Sequence, residues 1–268
     1  MHGAILESAA SDHDARATVP TAAAPADLAA TDILRFPRGR SAGDCLHAVF
    51  ERADFADRAT WSAATARALR EHPQPGDPAR LAAMVETMLA DVTTAEMPGG
   101  FALRDVQRDR RLPELEFHLP APRLAPSALQ RVLAALDADV PRLATPGFGG
   151  FVHGFIDLVF EHDGRWYLAD WKSNYLGATR DDYALPALNR AMREHGYHLQ
   201  YLLYSLALER FLRHRLRDYA FERHFGGVLY LFVRGVRAGW PGAGIFHGRP
   251  SAAELAGLEA ALGARVAA

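Results

Sequence analysis

Residues 151–172 read FVHGFIDLVFEHDGRWYLADWK, and the fold follows from this stretch. Its two halves, 151–160 and 165–172, are rich in aromatic and branched residues, which suit a pleated, partly buried surface. Between them stands Asp163-Gly164, a strong hairpin signal because a type I′ turn needs positive φ at both central residues. With those two residues in the turn, His162 faces Arg165. The same register sets Asp157 directly opposite Asp170, as a non-hydrogen-bonded pair with Cα atoms about 4.5 Å apart. Side chains alternate along a strand, so Lys172 shares a face with Asp170.

Two carboxylates opposed across a sheet repel each other, and a cation between them relieves the cost. Hard oxygen ligands favour Mg²⁺, with Mn²⁺ or Ca²⁺ able to take the same place. A neighbouring lysine completes a centre suited to phosphodiester hydrolysis: a metal to polarise phosphate and activate water, an ammonium to orient that water or stabilise developing charge. The plain alternative is a surface hairpin with solvated acids. The basic residues weigh against it. Of 30 Lys plus Arg, Lys172 alone is lysine. Arginine serves wherever a positive charge suffices, so lysine at this one place indicates a need for a compact ammonium on a flexible stem.

Composition narrows the classes further. The chain has 268 residues, 49% of them hydrophobic, enough for one large domain or one core with an appended helical part. No run of about twenty apolar residues would span a membrane, and the N-terminus lacks a basic-then-apolar leader; the expectation is a cytoplasmic protein. The single cysteine, Cys45, leaves no disulfide framework and no four-cysteine zinc or iron–sulfur site within the chain. Without a G-x-x-x-x-G-K-[ST] run around its one lysine, the chain carries no Walker-A motor. The net charge of −2 means that any attraction for nucleic acid is local. Arginine clusters at Arg35/Arg38/Arg40, Arg104/Arg108/Arg110/Arg111 and Arg210/Arg213/Arg215/Arg217 are read first as solvated faces.

Residues 1–30, rich in Ala, Ser, Pro and Asp, read as a disordered arm or linker. The remainder, 31–268, divides by pattern. Helices are expected at 42–56, about 60–72 and about 78–95, forming an added helical region. A core at about 110–235 comprises a strand at 114–119, a helix at 126–138, the hairpin, helices near 181–194 and 197–216, and a strand at 226–233. A helix at 251–265 closes the chain. The order is that of a mixed α/β fold.

The strings GFIDLVF and ADWKSNYLG resemble the C-terminal nuclease domain of RecB proteins, the beta subunits of exodeoxyribonuclease V (RecBCD). The wider Asp-x₁₂-Asp-x-Lys pattern resembles the D…(D/E)-x-K signature of restriction-endonuclease-like nucleases. The likeness runs through most of 33–233. FPRGRSAGDCLH resembles the family helix that carries a metal-binding histidine, here His47. ELEF resembles a segment with an acid near the site, here Glu116. YHLQYLLY resembles the Gln-x-x-x-Tyr motif, here Gln200 and Tyr204, four apart and so on one helix face. The second acid is aspartate where the wider superfamily more often has glutamate. The N-terminal arm shows no resemblance, and no helicase part accompanies the domain.

The resemblance implies a restriction-endonuclease-like core, with a central mixed β-sheet flanked by helices. It implies Mg²⁺-dependent cleavage of DNA, with Asp157, Asp170, His47 and the Trp171 carbonyl on the metal and Lys172 at the attacking water. Gln200 and Tyr204 either contact a DNA phosphate or hold Lys172 in place. The implied partners are DNA, RecC- and RecD-like subunits and the RecB helicase part, which would feed single strands to this domain in double-strand-break repair. A catalytically silent DNA-binding scaffold of the same fold is the competing class.

Overall fold

A computed structural model of the chain describes residues 4–7, 28–123, 125–134 and 150–263. In chain order its main elements are β1 (Ala4–Glu7), α1 (Arg40–Arg52), α2 (Trp61–Glu71), α3 (Pro78–Thr94), β2 (Arg111–Ala121), α4 (Pro126–Ala134), β3 (Gly150–His162) and β4 (Arg165–Lys172). Then follow α5 (Leu185–Glu194), α6 (Tyr197–Arg215), the single turn α7 (Phe221–His224), β5 (Phe225–Phe232), β6 (Ile245–Gly248) and α8 (Ala252–Ala261).

The sheet is six-stranded and mixed, in the order β1-β3-β4-β5-β6, with β2 on the other edge of β3. Strand β3 runs antiparallel to β2 and β4 and parallel to β1, and β4–β5 is a parallel pair. The β3–β4 hairpin turns at Asp163 (φ +48°) and Gly164 (φ +74°), as a type I′ turn requires. His162 pairs with Arg165, in the register expected from the sequence. The ladder ends at Leu158–Ala169, however, one pair short of Asp157 and Asp170. There β4 turns to β5, which it accompanies as far as Lys172–Phe232.

Each sheet face carries its own core. On one side Phe117, Leu119, Val152, Ile156, Leu168, Val228 and Tyr230 pack against Tyr197, Tyr201 and Leu202 of α6 and Leu255 and Leu258 of α8. On the other, Leu158, Phe160, Trp171, Leu229 and Leu231 pack against Leu46, Val49 and Phe50 of α1 and Val85 and Met88 of α3. The added helical region is thus the cover of one sheet face. Helix α6 is buried over most of its surface because it lies between the sheet and α8.

Three expectations need correction, and one strand is additional to them. The arm over 1–30 is not wholly without structure: Ala4–Glu7 pair with Gly150–His153. That AILE run combines large apolar residues with a free strand edge to join. Residues 1–3 and 8–27 of the arm lie outside the described residues. Strand β2 is longer than 114–119, since β3 offers it partners from Gly150 to Phe160. The helix expected at 181–194 is split into a 3₁₀ turn at Arg180–Tyr183 and α5. Pro186 sits in the first turn of α5, where its missing N–H costs nothing. Finally, β6 was not foreseen; it is four residues long, in a glycine-rich segment.

Candidate active site at the fork of two strands

The site forms where β4 parts from β3. Val152 and Ile156 of β3 pack into the α6-side core, whereas Leu158 and Phe160 pack into the α1-side core. Strict alternation would keep all four on one face, so the inside–outside pattern slips by one residue at Asp157. Across β2 the register skips the residue opposite, Glu114, between Pro113–Leu158 and Leu115–Ile156. Glu114 has φ +50°, a left-handed conformation uncommon for a residue with a side chain. Both strands share the distortion, so the register survives while the side chains change sides.

At this slip the Asp157 carboxylate accepts the Trp171 backbone N–H at 2.8 Å. It thereby takes the place of a strand partner where the ladder has ended. On its other side, His47 Nδ1 lies 3.4 Å from Asp157 Oδ2. Helix α1 brings His47 there through its packing. Phe50, one turn further on, stacks on Trp171 with ring centroids 4.2 Å apart and 13° between the planes. The aromatic contact therefore registers the helix against the strand that carries Asp170 and Lys172.

Asp170 and Lys172 project towards α6, each only 1% exposed. Lys172 Nζ lies 2.5 Å from Asp170 Oδ1 and donates to Gln200 Oε1 at 3.2 Å. The ammonium also sits over the ring of Tyr197, 4.1 Å from its centroid. Gln200 is itself fixed: its Nε2 donates to Tyr204 Oη at 3.0 Å, and its Oε1 accepts from Tyr230 Oη at 3.0 Å. Gln200 and Tyr204 are 6% and 4% exposed, so their polar atoms are committed to this buried chain of contacts. Burial, reinforced by the Asp170 and Asp157 carboxylates, pushes the Tyr204 hydroxyl well above the usual tyrosine range; it stays protonated and available as a donor. Just beyond, Asn174 Oδ1 accepts from Tyr197 Oη at 3.2 Å.

The structure therefore brings Asp157 together with His47 and the Trp171 backbone, and Asp170 with Lys172, Gln200 and Tyr204. Glu116 stands apart. Its carboxylate is bonded to His153 at 3.0 Å, and the acid level with Asp157 in the β2–β3 register is Glu114. The Glu114 side chain is exposed at the surface of β2. Even so, the protein around it removes enough hydration to push its carboxyl up to about 7, with Asp157 adding to the rise and His47 opposing it. The sequence signal for Glu114 was its place two residues before Glu116. Choosing between them needed the β2–β3 register, which a long intervening segment hides. Tyr197 and Tyr230 also escaped the sequence reading.

The donor set suits a divalent cation. Asp157 of β3 with His47 of α1 makes one pair and Asp170 with Lys172 of β4 another, and the Trp171 carbonyl lies between Asp170 and Lys172 in β4. Lost hydration, and after it the nearby Asp157 carboxylate, raise Glu114; a bound cation would offset the second of these.

A family model described as the PD-(D/E)XK nuclease superfamily matches residues 25–263. The chain is 40% identical over 233 residues to the RecBCD enzyme subunit RecB of Escherichia coli strain K12, an overlap covering 83% of this chain and 19% of that protein. It is 33% identical over 261 residues to the same subunit of Haemophilus influenzae, covering 90% of this chain and 20% of the relative. With that of Mycobacterium tuberculosis strain H37Rv it shares 36% over 290 residues, covering 94% and 26%. The chain spans about a fifth to a quarter of the length of these relatives.

Proposed function

Because the chain belongs to the PD-(D/E)XK nuclease superfamily, we propose that it hydrolyses DNA phosphodiester bonds at a divalent-metal centre held by Asp157, Asp170 and His47. The observation that carries this reading is the buried Asp170–Lys172 pair beside the Asp157–His47 pair. Two charged groups 1% exposed are costly to keep in a protein core without a function or excellent pairing. A bound Mg²⁺ supplies a Lewis acid for the scissile phosphate and lowers the pKa of a coordinated water. Lys172 holds that water or the developing negative charge through Nζ. Gln200 and Tyr204 act as positioning residues that fix Nζ, and Glu114 adds a carboxylate at the mouth.

Single-stranded DNA is the preferred substrate. The net charge of −2 gives little general attraction for duplex DNA. Phe151 and Phe155, 51% and 44% exposed on β3, offer faces on which unpaired bases stack. The relatives are subunits of an enzyme named RecBCD. The corresponding role here is double-strand-break processing in the cytoplasm, alongside a RecB-type helicase part and RecC- and RecD-like subunits. Among the described residues no helix is long and apolar enough to cross a membrane.

The test is cleavage of labelled single-stranded and blunt duplex DNA by the purified chain, with Mg²⁺ and with EDTA. The expected outcome is Mg²⁺-dependent cleavage, faster on single strands and abolished in Asp157→Ala and Asp170→Ala. Undiminished cleavage in excess EDTA would refute the metal centre. DNA binding without cleavage under any divalent ion would favour the silent scaffold.

A further inference from the structure

A second group of metal-ligating side chains lies on the outer face of β2 and β3, away from the α6-side core. Phe117, Leu119 and Val152 point into that core, so their neighbours Glu116, His118 and His153 project from the opposite face. His118 and His153 are directly paired across the two strands, with ring centroids 4.5 Å apart. Both rings turn Nε2 to one carboxylate oxygen. Glu116 Oε1 is 3.0 Å from His153 Nε2 and 3.8 Å from His118 Nε2, and the three ligand atoms all lie within 4.8 Å of one another. Phe155 meets the His153 ring edge to face at 5.2 Å, which limits its rotation.

Tetrahedral Zn²⁺ with bonds of about 2.0–2.1 Å places its ligand atoms ~3.3 Å apart. The observed separations straddle that value, and the backbone positions are already set by the ladder. Small side-chain rotations suffice to close the site. We propose that Glu116, His118 and His153 bind a zinc-class transition metal. Two imidazoles and one carboxylate favour such an ion over Mg²⁺, and three protein ligands leave a coordination position for water or an anionic oxygen. The site is separate from the strand fork: His153 precedes Asp157 by four residues, a span of ~13 Å along a strand.

The test silences the fork first. In an Asp157→Ala/Asp170→Ala chain, calorimetric titration with zinc chloride is expected to show one bound zinc. Cobalt(II) at the same site is expected to give the visible absorption bands of a tetrahedral ion. Adding His118→Ala should weaken zinc binding at least tenfold; adding His118→Ala with His153→Ala should abolish it, along with the cobalt bands. Glu116→Gln should weaken binding while retaining the imidazole contribution. All three residues lie on the sheet surface, and circular dichroism checks that each variant is folded. No zinc uptake by the Asp157→Ala/Asp170→Ala chain, or uptake unchanged by the double histidine substitution, overturns the proposal.

Discussion

Lys172 is the residue whose identity the surroundings define most closely. Its ammonium sits between the Asp170 carboxylate, the Gln200 carbonyl and the face of Tyr197. That space suits a compact charge. A guanidinium is wider, planar and permanently charged. Lys172→Arg is expected to fold and bind metal, yet to lose at least ~10²-fold in cleavage rate. Single-turnover cleavage measures the loss, and Mn²⁺ titration by calorimetry checks the site. A near-wild-type rate would reduce the lone lysine to an accident of composition. Glu114 gives a second residue-scale outcome. In the folded, metal-free protein its carboxyl is raised from 4.5 to about 7. Between those values the unfolded chain has released a proton that the folded chain retains, so stability falls as pH rises through this window. Thermal melts in EDTA from pH 4 to 8 should show that fall, and Glu114→Gln should flatten it. Identical pH profiles for the two proteins would contradict the placement of Glu114 beside Asp157.

At the scale of elements, the site depends on three arrangements. Strands β3 and β4 part at Asp157, α1 is registered by the Phe50–Trp171 stack, and α6 lays Gln200 and Tyr204 beneath Lys172. The contribution of α6 is testable without touching a metal ligand. Gln200→Met removes the acceptor from a charged donor in a buried place, where such a bond contributes about 1.5–3 kcal/mol. If Gln200 positions Nζ for the reaction, kcat falls by about ten- to a hundredfold while KM for DNA stays near its original value. Tyr204→Phe removes only the next hydroxyl in the chain of bonds and should cost a few-fold. A rise in KM with kcat intact would instead make Gln200 a substrate-binding residue.

At the scale of the whole molecule, Arg234 ties distant segments together. It is fully buried and donates to the carbonyls of Ser173 at 2.7 Å, Ile33 and Phe36 at 3.0 Å and Pro37 at 2.5 Å. One side chain thus fixes the segment leading into α1 against the exits of β4 and β5. The position of His47 relative to Asp170 depends on that tie. Arg234→Ala removes a charged donor from four carbonyls, of which Ile33 keeps the Phe36 backbone N–H, and is expected to cost about 3 kcal/mol or more. Urea denaturation measures it, and the lost stability should appear with weakened metal binding at the fork. A variant as stable as the parent would show that water replaces the guanidinium.

The determinants that act locally were legible in the sequence. Asp163-Gly164 sets a two-residue turn by backbone sterics alone, and the register of His162 with Arg165 follows from it. The period-2 pattern put Asp170 and Lys172 on one face, and the four-residue spacing put Gln200 and Tyr204 on another. The α/β class and the helical region before the core were readable for the same reason, since periodicity reports which side of an element is buried. Only the tertiary structure decided where the hairpin ladder stops, because that depends on β4 turning to β5, a strand more than fifty residues later. It alone selected Glu114 over Glu116 as the acid level with Asp157, through a register set by strands far apart in sequence. It also set Gln200 against Lys172 and Tyr204 behind it against Gln200, in buried hydrogen bonds. Chain-distant contacts carry no local signature, since the residues that make them meet only after the sheet has assembled.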